Sequence, residues 1–281
     1  MDVSFETIVD FHTHSHCSDG VLAPAALVAR ARERRVSILA LTDHDTVAGL
    51  DEARDACAAD IRFVPGVELS ASWRGQTIHI VGLEVDAADG AFNAHLSAVL
   101  ARRHMRLREI GERLERRARL PGREIAAEAA TSGAPTRLHL ARLLVARGHA
   151  RDTQDAFDRW LNRDRPGHVP AEWPPVAECL KVLRESGAVP VLAHPHRYKL
   201  SAGALRQLIT EFAADGGKAL EASIAGMGPN DADRIASLCR RFELHASIGS
   251  DFHDPAVPWN PLGRWLKLAA GLEPVTELLT T

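Results

Sequence analysis

Histidine and carboxylate recur at the ends of apolar runs in this chain, and that recurrence is its main chemical signal. FHTHSHCSDG at 11–20 follows one such run, and LTDHDT at 41–46 closes another. A third run ends at Glu68, and a fourth carries His79. AHPHR at 193–197 and GSDFH at 249–253 repeat the pattern. His12 and His14 are two residues apart, so on extended backbone both rings project to one side. Asp251 and His253 share that spacing. One HxH pair is weak evidence, but five strand ends bearing His or carboxylate are strong evidence. This donor set, without Cys, suits borderline-to-hard divalent cations. Nine candidate ligands are too many for one ion and about right for two or three. A multinuclear centre lowers the pKa of a bridging water and clamps the attacking and leaving oxygens of a phosphoryl displacement. The HExxH signature of a single-zinc peptidase is absent.

These residues need elements that bring them together. Residues 7–11, 37–41, 62–68 and 77–83 read as buried strands, with helices over 24–35 and 46–59 between them. From 92 to 162 the periodicity is helical, with segments at 92–118, 123–131, 136–148 and 153–162. Alternation then resumes: helix 175–186, strand 188–193, helix 202–214, strand 218–222, helix 229–241, strand 245–249, and one more short strand and helix. Continuous apolar strands alternating with helices predict an α/β protein with a parallel sheet covered on both faces. In a parallel β/α barrel all C-terminal strand ends open on one face. The expected organisation is a metal-binding barrel from residues 1–91 and 171–281, interrupted by a helical insertion over 92–170.

Composition bounds the rest. The chain has 281 residues, 46% hydrophobic and 25% charged, enough to bury a full core. No apolar run spans a membrane, and MDVSFETIVDF lacks the pattern of a signal peptide. The expectation is a cytoplasmic protein without a membrane partner. Cys17, Cys57, Cys179 and Cys239 form no CxxC pair, so neither a disulfide framework nor a thiolate zinc site is expected. Net charge is −3, but residues 101–170 hold sixteen Arg, no Lys and nine acidic residues, a local +7. The basic segment suits an anionic partner, although Arg–Glu pairs along helices would account for part of it. An acidic total and few aromatics for stacking along a strand argue against a general nucleic-acid binder, and no stable duplex binding is expected.

With these motifs in view, the chain resembles the polymerase and histidinol phosphatase (PHP) family, related to the amidohydrolases. FHTHSHCSDG, LTDHDT, GVELS (66–70), HIVGL (79–83), AHPHR and GSDFH carry the resemblance. It implies a distorted seven-stranded β/α barrel with two or three metals, Mn²⁺ first, with Fe²⁺ or Zn²⁺ as alternatives. By motif, His12, His14, Glu68 and Asp251 would hold one metal. Glu68 would bridge to a second, held by His79 and His194. Asp19, His44 and His253 would hold a third. A metal-bridging hydroxide would attack phosphorus, with His196 and Arg197 on phosphate oxygens. His196 and Asp251 are the candidate catalytic residues, and His196 is one candidate proton donor to the leaving oxygen. Ser15, His16 and Asp45 would orient the ligands.

RPGHVPAEWP at 165–174 and PTRLHL at 135–140 resemble the TrpH-type subgroup, which includes 3′,5′-nucleoside bisphosphate phosphatases and 5′–3′ exoribonucleases. Gly167-His168 departs from the Ala-Tyr of that pattern. A substrate with two phosphates needs a second anchor. Arg137, His139 and Arg142 lie near a helix start, which is an anion site in its own right, and Arg137 is the candidate for the non-reacting phosphate. The leading expectation is removal of the 3′-phosphate of a nucleotide such as pAp, leaving the 5′-monophosphate. Trimming of short 5′-phosphorylated RNA is the alternative. A histidinol-phosphate phosphatase leaves the basic segment without a role, and a regulatory module of a larger complex would not need every ligand.

Overall fold

The computed structural model describes residues 8–280. Thr7, where the first expected strand begins, lies outside them. The elements run β1 Ile8–Asp10, α1 Pro24–Glu33, β2 Val36–Leu41, α2 Leu50–Cys57, β3 Arg62–Trp73 and β4 Gln76–Leu83. The helical stretch follows as α3 Gly90–Ala118, α4 Gly122–Ala129, α5 Arg137–Ala146 and α6 Thr153–Ala156, the last continuing as a π-helical turn over Phe157–Leu161. The chain then forms α7 Val176–Glu185, β5 Val189–Leu192, α8 Ala202–Ala214, β6 Ala219–Ile224, α9 Pro229–Phe242 and β7 His245–Gly249. The seven strands make one sheet in sequence order. Its two edges meet where the Phe11 N–H donates to the Ile248 carbonyl at 3.1 Å and Thr13 bridges Phe252.

The sheet is mostly parallel, but β4 runs antiparallel to both β3 and β5. This corrects the all-parallel expectation. β3 extends to Trp73, and Arg74-Gly75 turns the chain with both residues at positive φ (47° and 76°). That pair of conformations is the tight hairpin turn whose twist suits two adjoining strands. The reversal matters for the site. On an antiparallel strand the early residues, not the late ones, lie at the face where the parallel strands end, and His79 is the fourth residue of β4.

Two other expectations change. The helix expected over 46–59 begins only at Leu50, because Asp45 adopts φ +50° and its carboxylate accepts the Ser70 N–H at 2.7 Å. The final strand and helix reduce to a bridge between Ala246 and Pro274 and one 3₁₀ turn, Val275–Leu278. Prolines at 255, 258 and 261 lack the N–H groups a strand pairs through, so side chains hold this segment. The Trp265 indole N–H donates to the Val9 carbonyl at 2.7 Å, and the Gly263 N–H to Asp10 at 2.8 Å.

Apolar packing explains how the helical stretch stays attached. One cluster joins the sheet to its covering helices, and a second fills the sheet's interior with Val9, Phe11, Val64, Val81, Val191 and Ile248 among others. A third lies wholly between Leu107 and Val169. Helix α3 belongs to two of them. Phe92 and Leu96 pack with the sheet's helices, while Leu107, Ile110 and Leu114 pack in the helical cluster. At 1.5 Å per residue its 29 residues span about 43 Å.

Candidate metal centre

His12 and His14 leave β1 on the same side, fully buried. The His12 Nε2 atom stands 3.1 Å from His14 Nε2, 3.3 Å from Glu68 Oε2 and 3.5 Å from Asp251 Oδ1. His14 Nε2 is 3.3 Å from each of those two oxygens. The first expected ligand set therefore converges. Glu68 turns its other oxygen, Oε1, to His79 Nδ1 and His194 Nε2, both at 3.1 Å. Its Oε2 is 3.0 Å from His44 Nδ1. Asp19 Oδ1 is 3.1 Å from His253 Nε2, and Asp19 Oδ2 is 3.8 Å from His44 Nε2. All nine expected ligand residues lie in one connected cluster, with Glu68 at its centre and His44 between Glu68 and Asp19.

The cluster fits divalent cations on its own chemistry. Six buried side-chain nitrogen or oxygen atoms lack a hydrogen-bond partner among the described residues. Five belong to Asp19, His44, Glu68, His79 and His194, and the sixth is His196 Nδ1. Orphaned buried donors and acceptors are costly and call for an ion or water. Electrostatics points the same way. Burial opposes ionisation of Glu68, but His12, His44 and His79 hold its carboxyl well below the usual range. Asp19 and Asp251 are buried too, and neighbouring histidines hold both well below as well. Burial works against charge on His12, yet Glu221, Glu68 and Asp251 lift its pKa well above 6.5. Burial, with His253 alongside, takes His14 down to about 3. Protonated rings thus do the balancing that cations would do.

The backbone bends to build this site. His194, Asp251 and Asp45 all take positive φ (32°, 53° and 50°), a conformation costly for side-chain-bearing residues. Specific bonds hold two of them. Glu221 Oε2 accepts the His194 N–H at 2.6 Å, and the Asp251 N–H donates to the His12 carbonyl at 2.8 Å.

Beside the cluster is a cavity whose lining includes Asp19, His44 and His79 together with Arg103, Arg106, Arg137, Phe157 and Trp173. Arg137 lies over the Phe157 ring at 5.4 Å, and burial lowers its pKa. Its guanidinium has no hydrogen-bond or ion-pair partner among the described residues. Arg106 gives its Nε and Nη2 to the Val169 carbonyl, and burial beside Arg137 and Arg103 takes its pKa down to about 9. Crowded guanidiniums facing a cavity suit an anion.

The other two basic candidates sit elsewhere. His139 Nδ1 accepts the Thr136 N–H at 3.0 Å, completing the cap of α5. Arg142 donates to the Asp19 backbone carbonyl at 2.8 Å. Arg142 thus anchors the helical stretch to the first metal-site loop, and the Ala134 N–H bonding the Cys17 carbonyl at 2.9 Å is a second anchor. Arg197 pairs with Asp251 Oδ2. His196 is half-buried on a 3₁₀ turn, and burial with Arg197 and His194 lowers its pKa to about 4. Ser15 donates to Asp43 at 2.5 Å, Asp45 receives Arg103, and His16 points outward.

Several site residues carry no motif. Glu221 accepts from His12 Nδ1 at 2.8 Å and from the His194 backbone. A lone carboxylate inside the apolar strand Ala-Leu-Glu-Ala-Ser was its available signal. Tyr198 accepts the His79 N–H at 3.0 Å and donates to the Ala193 carbonyl at 2.8 Å. Arg103, Arg106 and Trp173 had none beyond their place in a basic, Trp-containing stretch.

Comparison with known proteins agrees with this geometry. Residues 10–162 match the PHP domain. A Salmonella typhimurium protein named 5′-3′ exoribonuclease Rnm is 44% identical over 98% of this chain and 95% of its own length. A Chromobacterium violaceum protein named 3′,5′-nucleoside bisphosphate phosphatase is 36% identical over 91% of this chain and 90% of its own. A solved Chromobacterium violaceum amidohydrolase, with bound sulfate and no metal, superposes with a TM-score of 0.90 at 35% identity, covering 97% of this chain and 95% of that one. The match to the PHP domain and to these relatives over nearly the whole chain, with a buried His–carboxylate cluster on the shared fold, makes this protein a member of the PHP family of phosphoesterases.

Proposed function

We propose that the protein hydrolyses the phosphoester on the 3′ side of a 5′-phosphorylated nucleotide. The substrate with the simplest fit is a nucleoside 3′,5′-bisphosphate such as pAp, which loses its 3′-phosphate. The observation that carries this reading is the half-buried Arg137 guanidinium, without a hydrogen bond or ion pair among the described residues, in one cavity with Asp19, His44 and His79. One phosphate at the cluster and one at Arg137 account for both ends of the cavity.

His12, His14, Glu68 and Asp251 would hold one divalent cation, Glu68 with His79 and His194 a second, and Asp19, His44 and His253 a third. Bound there, the cations would lower the pKa of a water and offset charge on the reacting phosphoryl oxygens. We assign Mn²⁺ as the working metal. Arg137, flanked by Arg106 and Arg103, fixes the 5′-phosphate. Arg197, tied to Asp251, faces the reacting phosphate. His196 donates a hydrogen bond from a neutral ring. Arg142 holds the insertion, residues 92–170, against the first metal-site loop, and His139 caps α5, the helix that carries Arg137.

The same step serves a second substrate. In 5′-phosphorylated RNA the bond broken is again between phosphorus and the 3′-oxygen of the first nucleotide, and the name of the relative at 44% identity favours this use. Steady-state phosphate release from pAp by Mn²⁺-loaded protein tests the primary reading. Turnover of pAp well above that of a monophosphate ester supports it. An inert pAp, with another phosphoester hydrolysed well, refutes it.

A further inference from the structure

A second cavity opens on the same face of the fold, and nothing above uses it. It holds about 230 Å³ and shares no lining residue with the Arg137 cavity. Met227, Pro258, Trp259, Pro261 and Trp265 supply flat, apolar walls, with Arg264 at the rim. Trp259 is 69% exposed, more than any other large apolar side chain among the described residues. The Arg264 guanidinium pairs with no carboxylate among the described residues.

Its position ties it to the reaction. The cavity lies where the chain leaves β6, and Ala225 N–H bonds the Gly249 carbonyl at the end of β7. Asn260, between the lining residues Trp259 and Pro261, reaches the Asp251 carbonyl at 3.5 Å. Gly226 sits at φ +78°, and a Cβ there would stand 3.4 Å from Asn260 Oδ1 and 3.5 Å from the Trp259 carbonyl. The two loops are therefore seated against each other beside Asp251. The Arg137 cavity adjoins the cluster through Asp19, His44 and His79 instead.

We propose that this cavity binds the second nucleotide of 5′-phosphorylated RNA, its base stacked on Trp259. This deepens the reading above and rests on it. With the first nucleotide between Arg137 and the cluster, the reacting phosphate belongs to the nucleotide that follows, whose base needs a place beyond Asp251. Water adds to phosphorus, the bond to the first nucleotide's 3′-oxygen breaks, and that oxygen takes a proton. The downstream RNA keeps the phosphate as its new 5′ end. An indole accepts any base, since every base offers a π-face, and Arg264 at the rim suits the next phosphate. A bisphosphate such as pAp has no second base and leaves the cavity unused.

The test compares Trp259→Ala and Trp259→Phe with the parent on pAp and on the dinucleotide pApA. Trp259→Ala should lose roughly 5- to 100-fold in kcat/KM on pApA, keep its rate on pAp, and be largely rescued by Phe. Equal losses on both substrates, or none on either, overturn the proposal. Should the parent protein hydrolyse neither, the functional reading fails, and binding of the unreacted RNA trimer pApApA to metal-free protein decides the cavity's role. Weaker trimer binding in Trp259→Ala with unchanged pAp binding sustains it; unchanged trimer binding ends it.

Discussion

Arg103 Nε donates to Asp45 Oδ2 at 2.8 Å, joining the middle of α3 to the residue beside His44. Both partners are buried. Arg103 also reaches the Ser70 hydroxyl at 2.8 Å and lies over the Trp173 ring at 5.0 Å. Removing one partner of a buried pair leaves an uncompensated charge. Arg103→Ala should therefore cost roughly 3–5 kcal/mol of stability. Denaturant unfolding checks this, and the double variant with Asp45→Ala should recover part of the loss. A single variant as stable as the parent would show that the pair is not holding the segment.

Arg137→Ala should raise KM for pAp by about 10- to 100-fold with a smaller effect on kcat, from the loss of charge-assisted hydrogen bonds. Turnover of a phosphoester without a second phosphate should change little. Steady-state kinetics on the two substrates separates these effects, and equal damage to both would place Arg137 outside phosphate recognition.

Among the described residues, Glu221 hydrogen-bonds to the cluster through His12 and the His194 backbone. Glu221→Gln should weaken metal binding by about 10- to 100-fold. Metal titration followed by mass spectrometry or calorimetry measures it, independently of turnover. Unaltered affinity would reduce Glu221 to a packing role.

Burial resists a charge on His253, but Asp19 and Asp251 carry its pKa up to about 9. A raised pKa means the protonated ring stabilises the metal-free protein fully below about 6.5, its unperturbed value, and this contribution is lost as pH climbs through about 9. A metal ion needs the bare nitrogen. Mn²⁺ loading near neutral pH should thus expel about one proton from this residue, visible as binding heats that differ between buffers of unlike ionisation enthalpy. His253→Ala should reduce that release, and buffer-independent heats in the parent would contradict the assignment.

His196→Asn tests the neutral ring. With its pKa drawn down to about 4 in the metal-free protein, His196 holds no exchangeable positive charge near neutral pH. A loss of about tenfold in kcat/KM is expected for one hydrogen bond. A loss beyond a hundredfold would identify His196 as the proton donor instead.

What the sequence revealed follows from where its information is local. Most of the candidate ligands sit where an apolar run of the sequence stops, so His12, His14, Glu68, His194 and Asp251 were legible one strand at a time. The direction of β4 was not. It depends on Arg74-Gly75, a pair of turn residues inside what read as the gap between two strands. Glu221 and Arg103 were missed for another reason. Their partners lie 209 and 58 residues away; a carboxylate inside an apolar strand marks Glu221 as unusual without naming its partner, and nothing in the helix pattern marks Arg103. The contact of Arg142 with the Asp19 carbonyl was not legible either, because a basic residue near a helix start can serve a ligand or a neighbouring carbonyl equally well.

Helix α3 runs unbroken from the packing of Phe92 and Leu96 to that of Leu107 and Leu114. Near its middle it is pinned to the cluster's loops by Arg103, while Arg142 and Ala134 pin the helices that follow. Arg137 is therefore mounted on a rigid arm and not on a hinge. On the proposed reading the gap between that arginine and the histidines works as a fixed gauge: a chain of any length, pushed in until its terminal phosphate stops, presents the same bond each time, and the protein counts off single nucleotides without reading a letter.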